Sequence, residues 1–287
     1  MDFQPTKDQQ ALRAGMRDLL AARFDRQALR AAVERPGLDR ALWHALGDAG
    51  FFALRLPESA GGVGLGLAEA VLVFEEAGRA LLTGPLVATH LAAGSVAGAA
   101  SGESVVTRVD GPLVAWLEEA DHVQGDASGA RAMRSVDPLT PLHRTQGTRT
   151  PEPEPEAVLL AAAEQLGSAA RCTELAVQHA KQREQFGRPI GTFQAVKHLC
   201  ADMLVRTEVA RAAVYAAAVT EDPYEIAGAK LLADQAAVRG ARDCLQVHGG
   251  MGFTWEADVH LHLKRAWVRA EQWQTADEAA EVLASAL

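Results

Sequence analysis

The chain has 287 residues, of which 57 are alanine and 5% are aromatic, and its formal charge is −9. This composition excludes collagen-like, disulfide-stapled and disordered chains. No dense run of lysine or arginine is present, which argues against a surface that binds nucleic-acid phosphates. Because alanine favours helices and sheets need β-branched and aromatic residues, the composition predicts a mainly α protein.

The amino terminus lacks the basic and apolar segments of a secretion signal, and no apolar run reaches the roughly 18 residues that a membrane helix needs. We therefore expect a cytoplasmic protein with no membrane span. Its cysteines, Cys172, Cys200 and Cys244, form no C-x-x-C pair. They are expected to be small buried residues, and no metal site is predicted.

The first hundred residues read as a helical domain. Apolar positions from Leu12 to Phe24 predict one helix over 6–33, followed by a second over 38–49. The glycine-dense stretch 56–66 lacks both the dinucleotide-binding and the P-loop patterns, so we interpret it as a turn between helices. Two further helices are predicted over 67–81 and 85–99.

Alanine becomes rarer over residues 101–150. Short β-like runs at 104–109 and 112–117 are separated by turn residues, which predicts a reduced β middle region. Proline then alternates with glutamate over 151–156. Such a segment cannot form a helix interior, so it predicts an extended linker and a domain boundary.

The remainder, 151–287, is predicted to be a C-terminal four-helix-bundle domain. From Phe193 onward, apolar or small residues recur at alternating steps of three and four, as in a helix packed lengthwise in a bundle; they are Val196, Cys200, Met203, Thr207, Ala210 and Val214. Asp222 is the predicted N-cap of the next helix, and Gly249 and Gly250 are its predicted stop.

Two segments contain more polar side chains and glycines than a turn between helices requires. The segment 183–194 contains Arg183, whose planar guanidinium can grip a phosphate, and Gln194, which can both donate and accept hydrogen bonds. The segment 246–256 has three glycines within four residues, which would let a ligand approach the backbone. Each segment taken alone is also compatible with an ordinary helix–turn junction.

Together the two segments resemble the C-terminal domain of the acyl-CoA dehydrogenase family. The family's motifs R-x-Q-F-G-x-P-I-x-x-F-Q and Q-x-x-G-G-x-G-[YF] match the residues that begin at Arg183 and Gln246. The stretch 56–66 is similar to the family's P-E-x-x-G-G-x-G turn. The run from Gly78 to Pro85 resembles a subset that is common in actinobacterial steroid and fatty-acid degradation.

This resemblance implies a flavin, FAD, bound at a subunit interface. It also implies which residues hold the pyrophosphate and adenosine end of that flavin; these are Arg183, Phe186, Gln194, Gln246, Gly249 and Gly250. In the family's reaction a carboxylate removes the α-proton of an acyl-CoA, and the flavin takes the β-hydride. The product is a trans-2-enoyl-CoA.

The sequence departs from the family in two respects. The T-E-P-x-x-G-S and W-I-[TS] strings that hold the isoalloxazine are absent, and the middle region is too short for the family's β-domain. The usual catalytic glutamate is also missing, because Trp273 occupies its position. The alternative position of the base falls on Ala157, one residue beyond Glu156. No catalytic residue is therefore predicted in this chain.

These departures suggest a subunit that keeps part of the flavin site but lacks the catalytic base and the isoalloxazine segments. The predicted assembly is an α2β2 heterotetramer with a full-length acyl-CoA dehydrogenase homologue, which supplies the base and the isoalloxazine pocket. The substrate would be an acyl-CoA, with a bulky sterol- or lipid-derived acyl group as one candidate. The electron acceptor that the family resemblance implies is an electron-transfer flavoprotein.

Two alternatives remain open from the sequence. The chain could be a self-sufficient homomeric enzyme in which Glu271 or Glu256 serves as an unorthodox base. It could instead be a flavin-free helical scaffold, in which Arg183 and Gln194 have no ligand. Replacing Glu271 or Arg183 would distinguish these alternatives from the predicted heterotetramer.

Overall fold

The computed structural model describes residues 5–147 and 154–286, and this part of the chain is mainly helical, as the composition predicts. The helices are α1 Lys7–Arg23, α2 Arg26–Glu34, α3 Arg40–Asp48, α4 Leu67–Ala80, α5 Leu86–Ala92, α6 Pro155–Gln182, α7 Gln194–Thr220, α8 Pro223–His248, α9 Val259–Ala270 and α10 Ala276–Ser285. The strands are β1 Val106–Arg108, β2 Leu113–Ala115, β3 His122–Gln124, β4 Arg131–Met133, β5 Leu142–Arg144, β6 Glu184–Gln185 and β7 Arg188–Pro189.

The helix predicted over 6–33 is two helices. The first ends at Phe24, and the Asp25 carboxylate accepts a hydrogen bond from the backbone N–H of Ala28 at 2.9 Å. Asp25 thus caps a new helix, which interrupts the continuous one that the apolar pattern predicted. The helix predicted over 85–99 is also shorter, because α5 ends at Ala92.

Helices α4 and α6 pack backbone against backbone. A Cβ atom added to Gly78 would lie 1.9 Å from the carbonyl oxygen of Glu164, and one added to Gly167 would lie 1.8 Å from that of Glu75. Only glycine allows so close an approach. This contact fixes the N-terminal helices against the C-terminal bundle.

The middle region contains small sheets, as predicted. β1 pairs with β3 in parallel, and β5 lies between β2 and β4 in an antiparallel sheet. Each of these strands has three residues, so the region buries little surface of its own.

Arg265 on α9 connects the middle region both to the C-terminal helices and to the loop after α4. Its guanidinium forms an ion pair with Asp137 and donates hydrogen bonds to the carbonyl oxygens of Leu82, at 2.9 Å, and Leu139, at 3.2 Å. The side chain is buried, so these partners replace water around the charge.

The linker predicted over 151–156 ends earlier than expected. Residues 151–153 lie outside the described part of the chain, whereas α6 begins at Pro155, directly after Glu154. Proline is tolerated in the first turn of a helix because its missing N–H would have no intrahelical partner there. Asp222 caps α8, as predicted, by accepting hydrogen bonds from the backbone N–H groups of Tyr224 and Glu225.

The predicted seam of α7 is buried over its central part and less so at its start. Met203, Thr207, Ala210 and Val214 are buried, whereas Val196 and Cys200 are only half-buried. The beginning of α7 therefore lies near the surface of the bundle.

Candidate functional site

Both motif segments lie at one end of the helical bundle. Helix α6 ends at Gln182, a short β6–β7 hairpin follows, α7 begins at Gln194, and α8 ends at His248. The ring of His179, in the last turn of α6, stacks on the ring of His248 with centroids 4.2 Å apart. The fold thus brings the end of α6 beside the end of α8.

The side chains predicted to bind the cofactor are open to solvent. Arg183, Gln194 and Gln246 are exposed, and Phe186 is 89% exposed at the turn of the hairpin. Within the described ranges, the Arg183 guanidinium donates no hydrogen bond and forms no salt bridge. The nearest polar partner of the Gln194 amide is Nε2 of His198, at 3.5 Å. These donors are available to a ligand.

The backbone at the end of α8 is equally open. Gly249 has φ of +60°, a conformation that L side chains rarely adopt, and it ends the helix as predicted. A Cβ atom added to Gly249 or to Gly250 would meet no atom within 4 Å. The two glycines therefore leave a stretch of accessible backbone that suits close contact with a ligand.

The two stacked histidines have different electrostatic environments. Burial acts to lower the pKa of His248, but hydrogen bonds with Cys244 outweigh it and raise that pKa. Burial, together with the charges of His248 and Arg183, lowers the pKa of His179. Positive charge is thus favoured on His248 rather than on His179, which suits an anionic group such as a diphosphate.

The same two segments carry large apolar side chains that are exposed. Phe186, Met251, Phe253 and Trp255 are 89%, 56%, 72% and 61% exposed. Exposed apolar groups concentrated around a polar site are typical of a surface that contacts another molecule. We refer to these four residues as the apolar rim.

Trp273, which the family resemblance aligns with the position of the base, has a half-buried side chain. Its backbone N–H donates a hydrogen bond to the Asp110 carboxylate at 2.6 Å, and its φ is +63°. Trp273 lines a cavity of about 50 Å³ together with Glu164 and Arg269. An indole cannot remove a proton from carbon, so this position supplies no base.

The carboxylates that the sequence analysis considered are poorly suited to act as a base. Glu271 and Glu256 are exposed. The side chain of Glu156 bonds to Arg55 at 2.5 Å and lies 3.4 Å from Nε2 of His90. Burial acts to raise the pKa of Glu156, but His90 and Arg55 outweigh it and lower that pKa. Ala157 is buried and has no acidic group.

The sequence analysis missed Glu164. This carboxylate is buried in α6, forms an ion pair with Arg269 and lines the cavity beside Trp273. Burial raises its pKa, although Arg269 and Arg265 act in the opposite direction. A charged residue directly after the apolar run 157–163 was a signal, but its partner on α9 is visible only in the folded chain.

Among residues 5–147 and 154–286, no group of three histidine, cysteine, aspartate or glutamate side chains could hold a metal ion. The same residues form no helix that is long and apolar enough to cross a membrane.

Comparison with known proteins identifies the family. The family models described as "Acyl-CoA dehydrogenase, N-terminal domain" and "Acyl-CoA dehydrogenase, C-terminal domain" match residues 6–103 and 157–281. The chain is 37% identical to "Acyl-CoA dehydrogenase IpdE2" of Mycobacterium tuberculosis over 291 residues, which covers 91% of this chain and 92% of the relative. A relative of the same name in Mycolicibacterium smegmatis is 33% identical, and the match covers 91% of this chain and 93% of the relative.

Solved structures have the same fold. In the ChsE4-ChsE5 complex of Mycobacterium tuberculosis, one chain aligns with a TM-score of 0.86 at 25% identity, covering 99% of this chain and 98% of its own. Butyryl-CoA dehydrogenase of Megasphaera elsdenii aligns with a TM-score of 0.85 at 20% identity, covering 100% and 99%. The chain therefore belongs to the acyl-CoA dehydrogenase family and is an FAD-dependent oxidoreductase.

Proposed function

We propose that the chain is the subunit of a heteromeric acyl-CoA dehydrogenase that lacks the base and lends half of a flavin site to a full-length partner. One contrast carries this proposal. The polar residues predicted to bind the cofactor at the bundle end are open to solvent, whereas Trp273 stands at the position that the resemblance gives to the base. A subunit that keeps its cofactor contacts and lacks its base can contribute to catalysis only through a neighbour.

In this proposal, the chain holds the pyrophosphate and adenosine end of FAD. The Arg183 guanidinium offers a planar pair of donors to a phosphate, and the amides of Gln194 and Gln246 add neutral hydrogen bonds. Gly249 and Gly250 allow close approach of the backbone, and Phe186 offers a ring face. When bound, the flavin accepts the β-hydride of the acyl group.

The partner supplies the base and the isoalloxazine pocket in an α2β2 assembly. The apolar rim supports this arrangement, because its four side chains would be shielded from water by a second subunit. One structural neighbour is a chain of the ChsE4-ChsE5 complex of Mycobacterium tuberculosis. That arrangement is the precedent for the proposed heteromer.

The substrate is an acyl-CoA, and we propose a bulky sterol- or lipid-derived acyl group. Two observations support a large group: the run from Gly78 to Pro85, which resembles the actinobacterial subset, and the shortened middle region. An electron-transfer flavoprotein is the proposed acceptor, and the cytoplasm is the proposed compartment. We retain the division into 1–100, 101–150 and 151–287 as the proposed domain organisation.

The test compares the chain expressed alone with the chain co-expressed with a full-length homologue encoded nearby. Flavin per chain and acyl-CoA oxidation should both be low for the single chain and should rise in the co-purified complex. The proposal is wrong if the single chain binds a full equivalent of flavin and oxidises an acyl-CoA by itself.

A self-sufficient enzyme is the second candidate, and one observation favours it. Glu164 is a buried carboxylate whose pKa is raised by burial, and it lies in the cavity beside Trp273. Its ion pair with Arg269 opposes this role, because a carboxylate held by a guanidinium is a weaker proton acceptor.

A further inference from the structure

A pair of stacked histidines joins the two motif segments at the bundle end. The ring centroids of His179 and His248 are 4.2 Å apart, and the ring planes are inclined by 20°. The backbone N–H of Arg183 donates to the carbonyl oxygen of His179 at 2.8 Å, and Gly249 directly follows His248. One continuous path of contacts therefore leads from Arg183 through the two rings to the accessible backbone at Gly249.

A single hydrogen bond orients the imidazole of His248. Its Nδ1 lies 2.8 Å from the carbonyl oxygen of Cys244, and a carbonyl can only accept, so we assign the ring proton to Nδ1. The other ring nitrogen, Nε2, has no hydrogen-bond partner within residues 5–147 and 154–286. Because the side chain is only half-buried, Nε2 is available to a group from outside the chain.

Two helices end at this place, and the carbonyl ends of helices disfavour an anion. Helix α6 ends at Gln182 and α8 ends at His248, so the negative ends of both helix dipoles lie at the bundle end. The same field stabilises a cation in the last turn of a helix. Protonated His248 occupies such a position, and its charge would offset the field that an anionic ligand meets there.

We propose that His248 is a further binding group for the flavin diphosphate, beside Arg183 and the backbone of Gly249 and Gly250. The protonated imidazole donates its Nε2–H to a phosphate oxygen, and His179 holds the ring in place by stacking. The family motif Q-x-x-G-G-x-G-[YF] leaves the position of His248 unspecified. This inference rests on the proposed flavin half-site and adds a residue to it.

Binding by a protonated imidazole makes flavin affinity depend on pH. The diphosphate and the Arg183 guanidinium keep their charges near neutral pH, whereas an imidazole titrates there. Burial acts to lower the pKa of His248, but its hydrogen bonds with Cys244 outweigh burial and raise that pKa above its usual 6.5. Affinity should therefore be highest below the pKa of His248 and should fall as the pH rises through it.

Other titratable or charged groups face His248 from the elements packed around it. Burial, with the charges of His248 and Arg183, lowers the pKa of His179. Cys244 is fully buried, so it acts on a ligand only through His248. The cavity that His248 helps to line is also bordered by Asp25, Arg26, Arg79, Arg171, Glu256, Asp258 and His262. Burial and nearby arginines lower the pKa of His262 to about 3, and carboxylates and guanidiniums ordinarily keep one charge state near neutral pH.

The test measures the affinity of the heteromer for FAD at about pH 6 and about pH 8.5, on either side of the imidazole titration. The flavin-loaded heteromer is dialysed to equilibrium against a series of FAD concentrations, and the retained flavin gives Kd. Wild type should bind FAD about tenfold more weakly at the higher pH, because one charge-assisted hydrogen bond is lost. His248→Gln should bind weakly at both pH values. His248→Lys, which stays charged, should bind tightly at both.

His44→Gln is the matched control, because His44 is an exposed histidine of α3 outside the site, and it should follow wild type. Urea unfolding at both pH values shows which variants are folded, and either variant of His248 suffices. A flat wild-type profile overturns the inference, as does a folded His248→Gln or His248→Lys variant that keeps the wild-type profile. If Arg183→Ala still weakens flavin binding, the half-site stands and only the role of His248 is lost. Unchanged flavin affinity in Arg183→Ala contradicts the half-site itself.

Discussion

Gly78 on α4 and Gly167 on α6 face each other's helix so closely that neither has room for a methyl group. The nearest atoms to their missing Cβ positions are backbone carbonyl oxygens, which cannot rotate away as a side chain could. This reciprocal contact sets the distance between the N-terminal helices and the bundle. It also fixes the direction of α6, which ends directly before Arg183 and the β6–β7 hairpin.

The substitution Gly167→Ala should destabilise the chain by about 3 kcal/mol, because the added methyl group forces two backbones apart. Urea unfolding of the purified chain measures this loss. Gly15→Ala is the control, since Gly15 lies in α1, is exposed and has no atom within 4 Å of an added Cβ. The control should be up to about 1 kcal/mol more stable, as alanine favours helix over glycine. Equal effects would contradict a backbone contact.

Arg183→Ala should weaken flavin binding in the heteromer by at least tenfold. A hydrogen bond to a charged group contributes about 1.5–3 kcal/mol, and the alanine variant removes the proposed phosphate contacts. Flavin retained per heteromer during dialysis, followed by titration with FAD, gives the affinity. Arg239→Ala is the matched control, because Arg239 is an exposed arginine of α8 outside the predicted site. Unchanged flavin content in Arg183→Ala would favour the flavin-free scaffold.

Glu164→Gln and Glu271→Gln should leave turnover by the heteromer within a few-fold of wild type, because the partner provides the base. The amide keeps the shape of each side chain but cannot accept a proton from carbon. Turnover at saturating acyl-CoA is measured alongside urea unfolding, since Glu164 also pairs with Arg269. Abolished turnover in a folded variant would instead identify that glutamate as a base of this chain.

Glu156 should make stability depend on pH in the acid range. The folded-state pKa of Glu156 lies below its usual 4.5 because of His90 and Arg55, with burial opposing the shift. Its stabilisation is therefore fully present above about pH 4.5, and it disappears as the pH falls through the folded-state pKa. Glu156→Gln should cost about 1 kcal/mol at pH 7, and less as the pH is lowered. Urea unfolding of the wild type and of Glu156→Gln at several pH values measures the pH dependence of stability and the cost of the substitution. A loss that grows with acidity would contradict the assignment.

Local signals predicted the ends of several elements correctly. Asp222 caps α8 by bonding to residues two and three positions ahead, and Gly249 ends that helix with a positive φ. Both features depend on a few consecutive residues, so they can be read from the sequence. Asp25 gave a signal of the same kind, but the apolar pattern on either side of it led to the prediction of one continuous helix.

Features that depend on distant residues could not be predicted. Glu164 and Arg269 are brought together from α6 and α9. Spacing along the chain carries no information about such pairs. The family motifs did predict the residues at the bundle end, because each motif is a short segment, but their roles toward FAD remain proposals.

The anchoring of Arg265 determines how the chain should unfold. One guanidinium bonds to the loop after α4, at Leu82, and to the middle region, at Asp137 and Leu139, from a position on α9. The small strands thus depend on a helix that is synthesised more than a hundred residues later. The middle region should be unable to hold its structure on a nascent chain, and it should lose amide protection together with α9 in a single cooperative step.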